Sequence, residues 1–286
     1  MFFNTQLRQH TITLSPNDTN SRRAEAWERL ITSRKLGYFD LLKNLRPILA
    51  AGPHLINEVV DMLTDERLIS QSLVLPFRFL SAVESLEKAP PHGALRVIAA
   101  LSDALDLSLA NVPDLGGRML VALDASASMK GRSVKTGSLF AAVLAKAQGA
   151  DVMLFSNEAK PVSVHGRDGA LPLARWLQSQ CAFEGTNFRD IFKRANGGYD
   201  RVVILSDTQG WTGRHAPTDA FVQWRQRHGG NPKVFSVDLS RHAPLHSPER
   251  QVYCMGGAPD QALEVMQSLD SNNRAPLSAV ERSMLA

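Results

Sequence analysis

Apolar positions along the chain follow two periods. From residue 24 they recur at three-and-four spacing: Trp27, Leu30 and Ile31 share one face, and Tyr38, Leu41, Leu42, Leu45, Ile48 and Leu49 continue the pattern beyond Gly37. That spacing predicts paired amphipathic helices. Further helices are expected over 54–63, 65–74, 76–88 and 92–110, several entered at or just after a proline. After a Pro- and Gly-bearing linker at 111–117 the period changes: 118–124 is a continuous apolar run of buried-strand length, and 133–148 reads as a helix. Strands at 150–156, 200–207 and 232–239 alternate with helices at 171–180, 188–196, 219–228 and 260–269. Strand-helix alternation of this kind predicts a doubly wound, mostly parallel sheet.

Three segments follow: residues 1–21 as a polar tail or cap, 22–112 as an all-α segment, and 113–286 as an α/β domain. Short helix pairs joined by Gly and Pro turns suggest a helical-repeat stack, with a compact bundle as the alternative. About six short helices are too few to close a ring or cover the end of a stack. Leu55, Ile56, Val59, Val60 and Leu63 are therefore expected to be partly uncovered and to need a second copy or a helical partner chain.

Composition narrows the class without naming an activity. The 286 residues are 44% hydrophobic and 21% charged, the balance of an ordinary globular protein. Apolar runs such as 97–101 and 119–123 fall well short of the roughly 20 residues a membrane span needs, and the amino terminus lacks a basic start followed by an apolar core. A cytoplasmic protein with no membrane association is expected. Cys181 and Cys254 stand far apart and outside any CxxC pair, which argues for two reduced thiols rather than a disulfide framework or a thiolate zinc site. The net charge of +4 is weak evidence for an anionic partner. Residues 1–112 balance 12 Lys or Arg against 12 Asp or Glu, so no globally basic nucleic-acid arm is present and no DNA partner is expected.

The candidate chemistry sits at strand ends. The strand at 118–124 runs into Asp124-Ala125-Ser126-Ala127-Ser128, a carboxylate and two hydroxyls spaced two apart on the loop leaving the sheet. Thr186 lies in a loop before the helix at 188–196, and Asp207 closes the strand at 200–207. Ligands of doubly wound sheets bind where the carboxyl ends of the strands converge. Hard oxygen donors of this kind suit Mg2+, or another divalent cation such as Ca2+ or Mn2+, better than zinc or copper. Read alone, Asp124 could merely cap the following helix.

Asp124, Ser126, Ser128, Thr186 and Asp207 together resemble the metal-ion-dependent adhesion site of von Willebrand factor A domains, whose DxSxS, Thr and Asp pattern they match at all five ligand positions. Two departures stand out. Ala127 replaces the commoner Gly, which restricts positive φ there, and Asn187 stands where many such domains carry Asp, which lowers the negative charge. With both halves considered, the chain resembles the carboxy-terminal part of the Ro autoantigen family, a HEAT-like helical TROVE module followed by an A domain. Residues 26–52 and 75–86 are similar to the last repeats of that module, and 121–129, 184–188 and 205–211 to its A-domain motifs. The family's helical module is about twice as long or more, so the early repeats have no counterpart here.

The resemblance implies an RNA-binding scaffold, taking Y-like or other structured or misfolded non-coding RNA in RNA quality control. The candidate RNA face is Arg22, Arg23, Arg29, Arg34, Lys35, Lys43 and Arg46, which outnumber Glu25, Glu28 and Asp40 in the same stretch. Lys and Arg would neutralise phosphates without reading sequence, although a solvated helix face with Glu–Arg pairs explains the same pattern. The alternative function is a metal-dependent protein adhesion or assembly module without RNA. No enzyme is expected, because two-metal hydrolysis needs more carboxylates and none of His165, His215 or His228 is an evident general base.

Overall fold

A computed structural model describes residues 20–164, 169–207, 217–240 and 251–271, without the side chains of 20–22 and 270–271. The tail-or-cap expectation for the first residues thus falls almost wholly outside the described part. Six helices build the first half: α1 (Asn20–Thr32), α2 (Tyr38–Ala51), α3 (Ile56–Leu63), α4 (Glu66–Ser72), α5 (Phe77–Lys88) and α6 (Ala94–Leu107). Their starts follow local chemistry. Asp65 caps α4 by accepting from the amides of Arg67 and Leu68 at 3.0 and 3.2 Å, and Gly93 enters α6 at φ +74, where any Cβ would also strike Ile56.

The expected uncovering is absent at Leu55, Val59 and Leu63 and partial at Ile56 and Val60. Leu55, Val59 and Leu63 are at most 2% exposed, and Ile56 and Val60 are half-buried against the same core. Helices α1, α2 and α6 all pack on α3, so most of that apolar face is covered within the chain.

The second half is a six-stranded sheet: β1 (Met119–Asp124), β2 (Asp151–Phe155), β3 (Ala159–Val162), β4 (Arg201–Ser206), β5 (Lys233–Asp238) and β6 (Val252–Gly256), in the order β3-β2-β1-β4-β5-β6. All pairings are parallel except β2 with β3. The helices are α7 (Arg132–Gln148), α8 (Ala170–Ser179), α9 (Phe188–Arg194), α10 (Thr218–His228) and α11 (Pro259–Ser271). Continuous apolar strands serve two faces at once. Val121, Leu123, Val203, Leu205, Phe235 and Val237 join one core with α7, α8 and α11, while Leu120, Ala122, Val202, Ile204 and Val234 join another with α9 and α10. The strand order reverses between β1 and β4, where a crevice at the carboxyl ends is the usual ligand site.

The first of those cores runs without interruption into the helical half. Phe77 of α5 meets Phe140 of α7 edge-on at 5.0 Å, and the Asp106 carboxylate at the end of α6 accepts the amide of Ala170 at 2.7 Å. The connecting residues are fixed as well. Asn111 donates to the carbonyls of Ile69 and Val74 at 3.1 and 2.9 Å, and Gln148 bonds Leu115 N and Pro113 O at 2.9 and 3.0 Å. No helix of the described residues is long and apolar enough to cross a membrane.

Candidate metal centre

β1 delivers Asp124 to the switch point fully buried, and its two carboxylate oxygens are held by the chain itself. Oδ1 accepts the Ser126 amide at 2.8 Å, and Oδ2 accepts the Ser206 hydroxyl at 2.5 Å. The loop then turns through a short 3₁₀ segment, Ala127–Met129. Ala127 lies in this helical turn and is not among the positive-φ residues, so the geometry makes no demand for glycine there. The demand falls on Gly131, at φ +99, from which α7 starts.

That turn places Ser126 Oγ 3.1 Å from Ser128 Oγ, and Ser128 Oγ donates to Asp207 Oδ1 at 2.9 Å. Adjacent oxygens of an octahedral magnesium shell, with bonds of 2.0–2.1 Å, lie about 3 Å apart. The two hydroxyls and one carboxylate therefore already have the spacing of neighbouring ligands. Thr186 is exposed on the adjoining loop, which is stitched to the others through its backbone: Phe183 N to Ala125 O, Ala127 N to Glu184 O and Asn187 N to Ser156 O, each at 2.8 Å. The fold thus brings Asp124, Ser126, Ser128 and Asp207 into one hydrogen-bonded cluster and sets Thr186 beside it.

The cluster is short of positive charge among the described residues. Among the described residues neither Asp124 nor Asp207 has a Lys or Arg ion-pair partner. Burial pushes the Asp124 carboxyl above its ordinary range; bonds from Ser206 and Ser126 pull it down, and the nearby Asp207 charge pushes it up. A divalent cation would relieve both the desolvation and the repulsion. The donor set fits such an ion: Ser126, Ser128, Thr186 and the two aspartates would hold it.

Three supporting residues escape a reading by motif alone. Ser206 orients Asp124, while Ser240 donates to Asp207 O at 3.0 Å and to Asp238 Oδ1 at 2.7 Å, tying the ends of β4 and β5 together. Asp238 could have been found as a third carboxylate at a strand end. The hydroxyls of Ser206 and Ser240 carry no distinctive spacing.

The basic residues of the helical half are dispersed over α1, α2 and the turn between them. Arg23, Arg29, Arg34, Lys35, Lys43 and Arg46 are all exposed, and the side chain of Arg22 lies outside the described residues. Arg34 is tied to Asp65 at 3.0 Å, and Lys43 rests over the Phe39 ring at 5.3 Å. Arg23, Lys35 and Arg46 form no ion pair among the described residues. The two thiols are free, Cys181 buried and Cys254 half-buried, each pushed up to about 11 by burial.

Comparison with known proteins follows the same division. Residues 12–117 match the TROVE domain family. The chain is 27% identical over 262 residues to the RNA-binding protein RO60 of Deinococcus radiodurans, a match covering 82% of this chain and 48% of that protein. The crystal structure of the Deinococcus radiodurans RO (RSR) protein superposes with a TM-score of 0.70 at 22% identity, over 88% of this chain and 56% of that one. A von Willebrand factor type A structure from Catenulispora acidiphila overlaps 54% of this chain and 42% of its own at 14% identity, with a TM-score of 0.35. The chain spans about half the length of the curated relative it matches. The TROVE match ends two residues before β1, and the fold likeness to the Deinococcus radiodurans protein runs on through both halves: this chain carries a TROVE match in its helical half and is similar to a Ro protein over 82% of its length.

Proposed function

We propose that the chain is an RNA-binding, Ro-like scaffold whose A domain carries a metal-ion-dependent adhesion site. The RNA reading is supported above all by the relationship to a protein named as RNA-binding, over both halves of the present chain. Structured or misfolded non-coding RNA is the partner class, met by exposed basic residues of α1 and α2. The metal reading is supported by the chain of oxygens from Ser126 through Ser128 to Asp207, whose negative charge has no Lys or Arg ion-pair partner among the described residues. When bound, Mg2+ or a similar ion supplies Lewis-acid attraction for an acidic group at an open position. The reading is of binding, not catalysis, in a cytoplasmic setting that keeps both thiols reduced.

Gel shifts with a structured RNA, across a salt series and with or without chelator, test this. Phosphate contacts should weaken steeply with salt and survive chelation, because each neutralised phosphate releases counterions. Reversing the charges of Lys35 and Arg46 should weaken RNA several-fold and flatten the salt slope while leaving metal affinity unchanged. Arg34 is the poorer probe, since its reversal also breaks the Asp65 pair. Binding that ignores salt but vanishes with chelator would instead favour the second reading, a metal-dependent protein adhesion module.

A further inference from the structure

Apart from the metal centre, a cleft of about 380 Å³ opens where the helical half meets the carboxyl edge of the sheet. Its walls come from α5, the first turn of α7, the end of β5 and the first turn of α11. This volume lies in the range of small-ligand clefts, roughly 300–1,000 Å³. The α7 turn lines it with Arg132, Ser133 and Thr136, and spacings of three and four put the two hydroxyls and the guanidinium on one helix face. Gly131 offers no capping side chain, so among the described residues no N-cap side chain serves the amides of that first turn. Arg132 is exposed and forms no ion pair among the described residues. A guanidinium, two hydroxyls and uncapped amides make a seat for a phosphate.

The remaining walls suit something other than a bare anion. Phe77 and Leu80 of α5 present a half-buried apolar surface, with Phe77 held in place by the Phe140 ring. Asp260, only 9% exposed, closes the α11 side. Its Oδ2 takes the Arg78 guanidinium at 2.6 Å, while its Oδ1 is buried with no hydrogen-bond partner from another of the described residues. A buried carboxylate oxygen served by nothing beyond its own backbone amide is under-satisfied, and most such groups find a further donor. An exocyclic amine of a nucleobase is a donor of the right kind.

We propose that this cleft binds one nucleotide, its phosphate on the first turn of α7 and its base against Phe77 and Leu80 toward Asp260. The nucleotide comes either as a free nucleoside monophosphate or as one unit of a single-stranded RNA. Neither source requires the metal ion or the basic residues of α1 and α2, although Ser240 lines the cleft as well as the frame of the metal centre; a strand as the source rests on the RNA reading above, and a free nucleotide does not.

The test titrates the full chain, in chelator, with AMP and inorganic phosphate by calorimetry and with a labelled six-nucleotide RNA by anisotropy. Arg132→Ala should weaken AMP or the RNA at least tenfold. Leu80→Trp, which fills the cleft, should do the same to AMP or RNA but spare inorganic phosphate. A response to AMP identifies a free nucleotide as the source, and a response to RNA alone identifies the strand. If Leu80→Trp does not fold, as judged by its melting curve, Thr136→Val takes its place with a smaller loss expected. Affinities unchanged in the variants, or no binding of either probe, would overturn the proposal. So would binding that needs Mg2+ and disappears in Asp207→Ala, because the ligand would then sit at the metal centre.

Discussion

The two ends of β1 use the same residue types to opposite effect. At the amino end every carboxylate meets a donor of matching charge or geometry: Arg118 pairs with Asp151 at 2.9 Å and stacks over Tyr199 at 4.5 Å, Tyr199 donates to Asp151 at 2.9 Å, and Asp200 accepts the Arg118 amide at 2.8 Å. Arg201, 4% exposed, closes the same end by donating to the carbonyls of Leu115 and Gly116 at 3.0 and 2.9 Å. At the carboxyl end Asp124 and Asp207 meet hydroxyls and an amide but no cation from among the described residues. A matched set of charges is a lock, and an unmatched one is a candidate site. Charge density alone would not separate them, because both ends are rich in ionisable groups.

The largest effect should come from breaking the lock. Arg201→Met leaves the Leu115 and Gly116 carbonyls without their donor and should cost about 3 kcal/mol. For a domain of this size that lowers Tm by roughly 6–12 °C, measurable by calorimetry, while magnesium affinity in the folded protein stays at the parent value. A large loss of metal affinity in that variant would erase the distinction between the two ends.

Asp207→Ala should do the reverse. It removes a ligand and a repulsive neighbour of Asp124, so magnesium binding should fall at least tenfold while the metal-free Tm holds or rises slightly. In the parent, magnesium at a hundredfold excess over its Kd should stabilise by about 2.7 kcal/mol, and thermal shift with and without the ion reads both quantities. Asp124→Ala is a less clean probe, because it also removes the carboxylate that accepts from the Ser206 hydroxyl and the Ser126 amide.

The smallest effect concerns pH at the amino end. Burial, then the bond to and charge of Asp151, push the Tyr199 phenol up to about 12. A folded-state value above the unfolded one near 10 means the folded chain holds this proton more tightly. The resulting stability is complete below about pH 10 and drains away as pH climbs toward about 12. Asp151→Asn should bring the phenol's titration down, followed by ultraviolet absorbance against the parent curve; an unmoved titration would mean that burial alone sets it.

Much of this was legible from the chain. Asp124, Ser126, Ser128 and Asp207 could be placed together because apolar runs end at each of them, and strand ends of such a sheet converge by topology. Strands β3 and β6 were not readable. β3 is a four-residue antiparallel edge carrying Pro161, with exposed Lys160 and Pro161, so it lacks the apolar continuity of a buried strand. β6, with its half-exposed Tyr253 and Cys254, has the same weakness. The covering of α3 was misjudged because sequence spacing gives a helix its apolar face but not the neighbour that meets it. The restriction on positive φ expected at Ala127 meets no demand there, because the local turn puts its glycine requirement at Gly131.

The uninterrupted core shared by α5, α6, α7 and α8 bears on what counts as a piece of this protein. A fragment cut at residue 117 would keep the TROVE match yet strip Phe77 of Phe140 and Asp106 of the Ala170 amide, baring the wall that α7 and α8 now cover. Heating the intact chain should accordingly give one transition seen alike by probes in either half, not two. The boundary recognised in sequence and the smallest unit able to fold by itself are then different objects, and an expression strategy built on the first would yield an aggregating half.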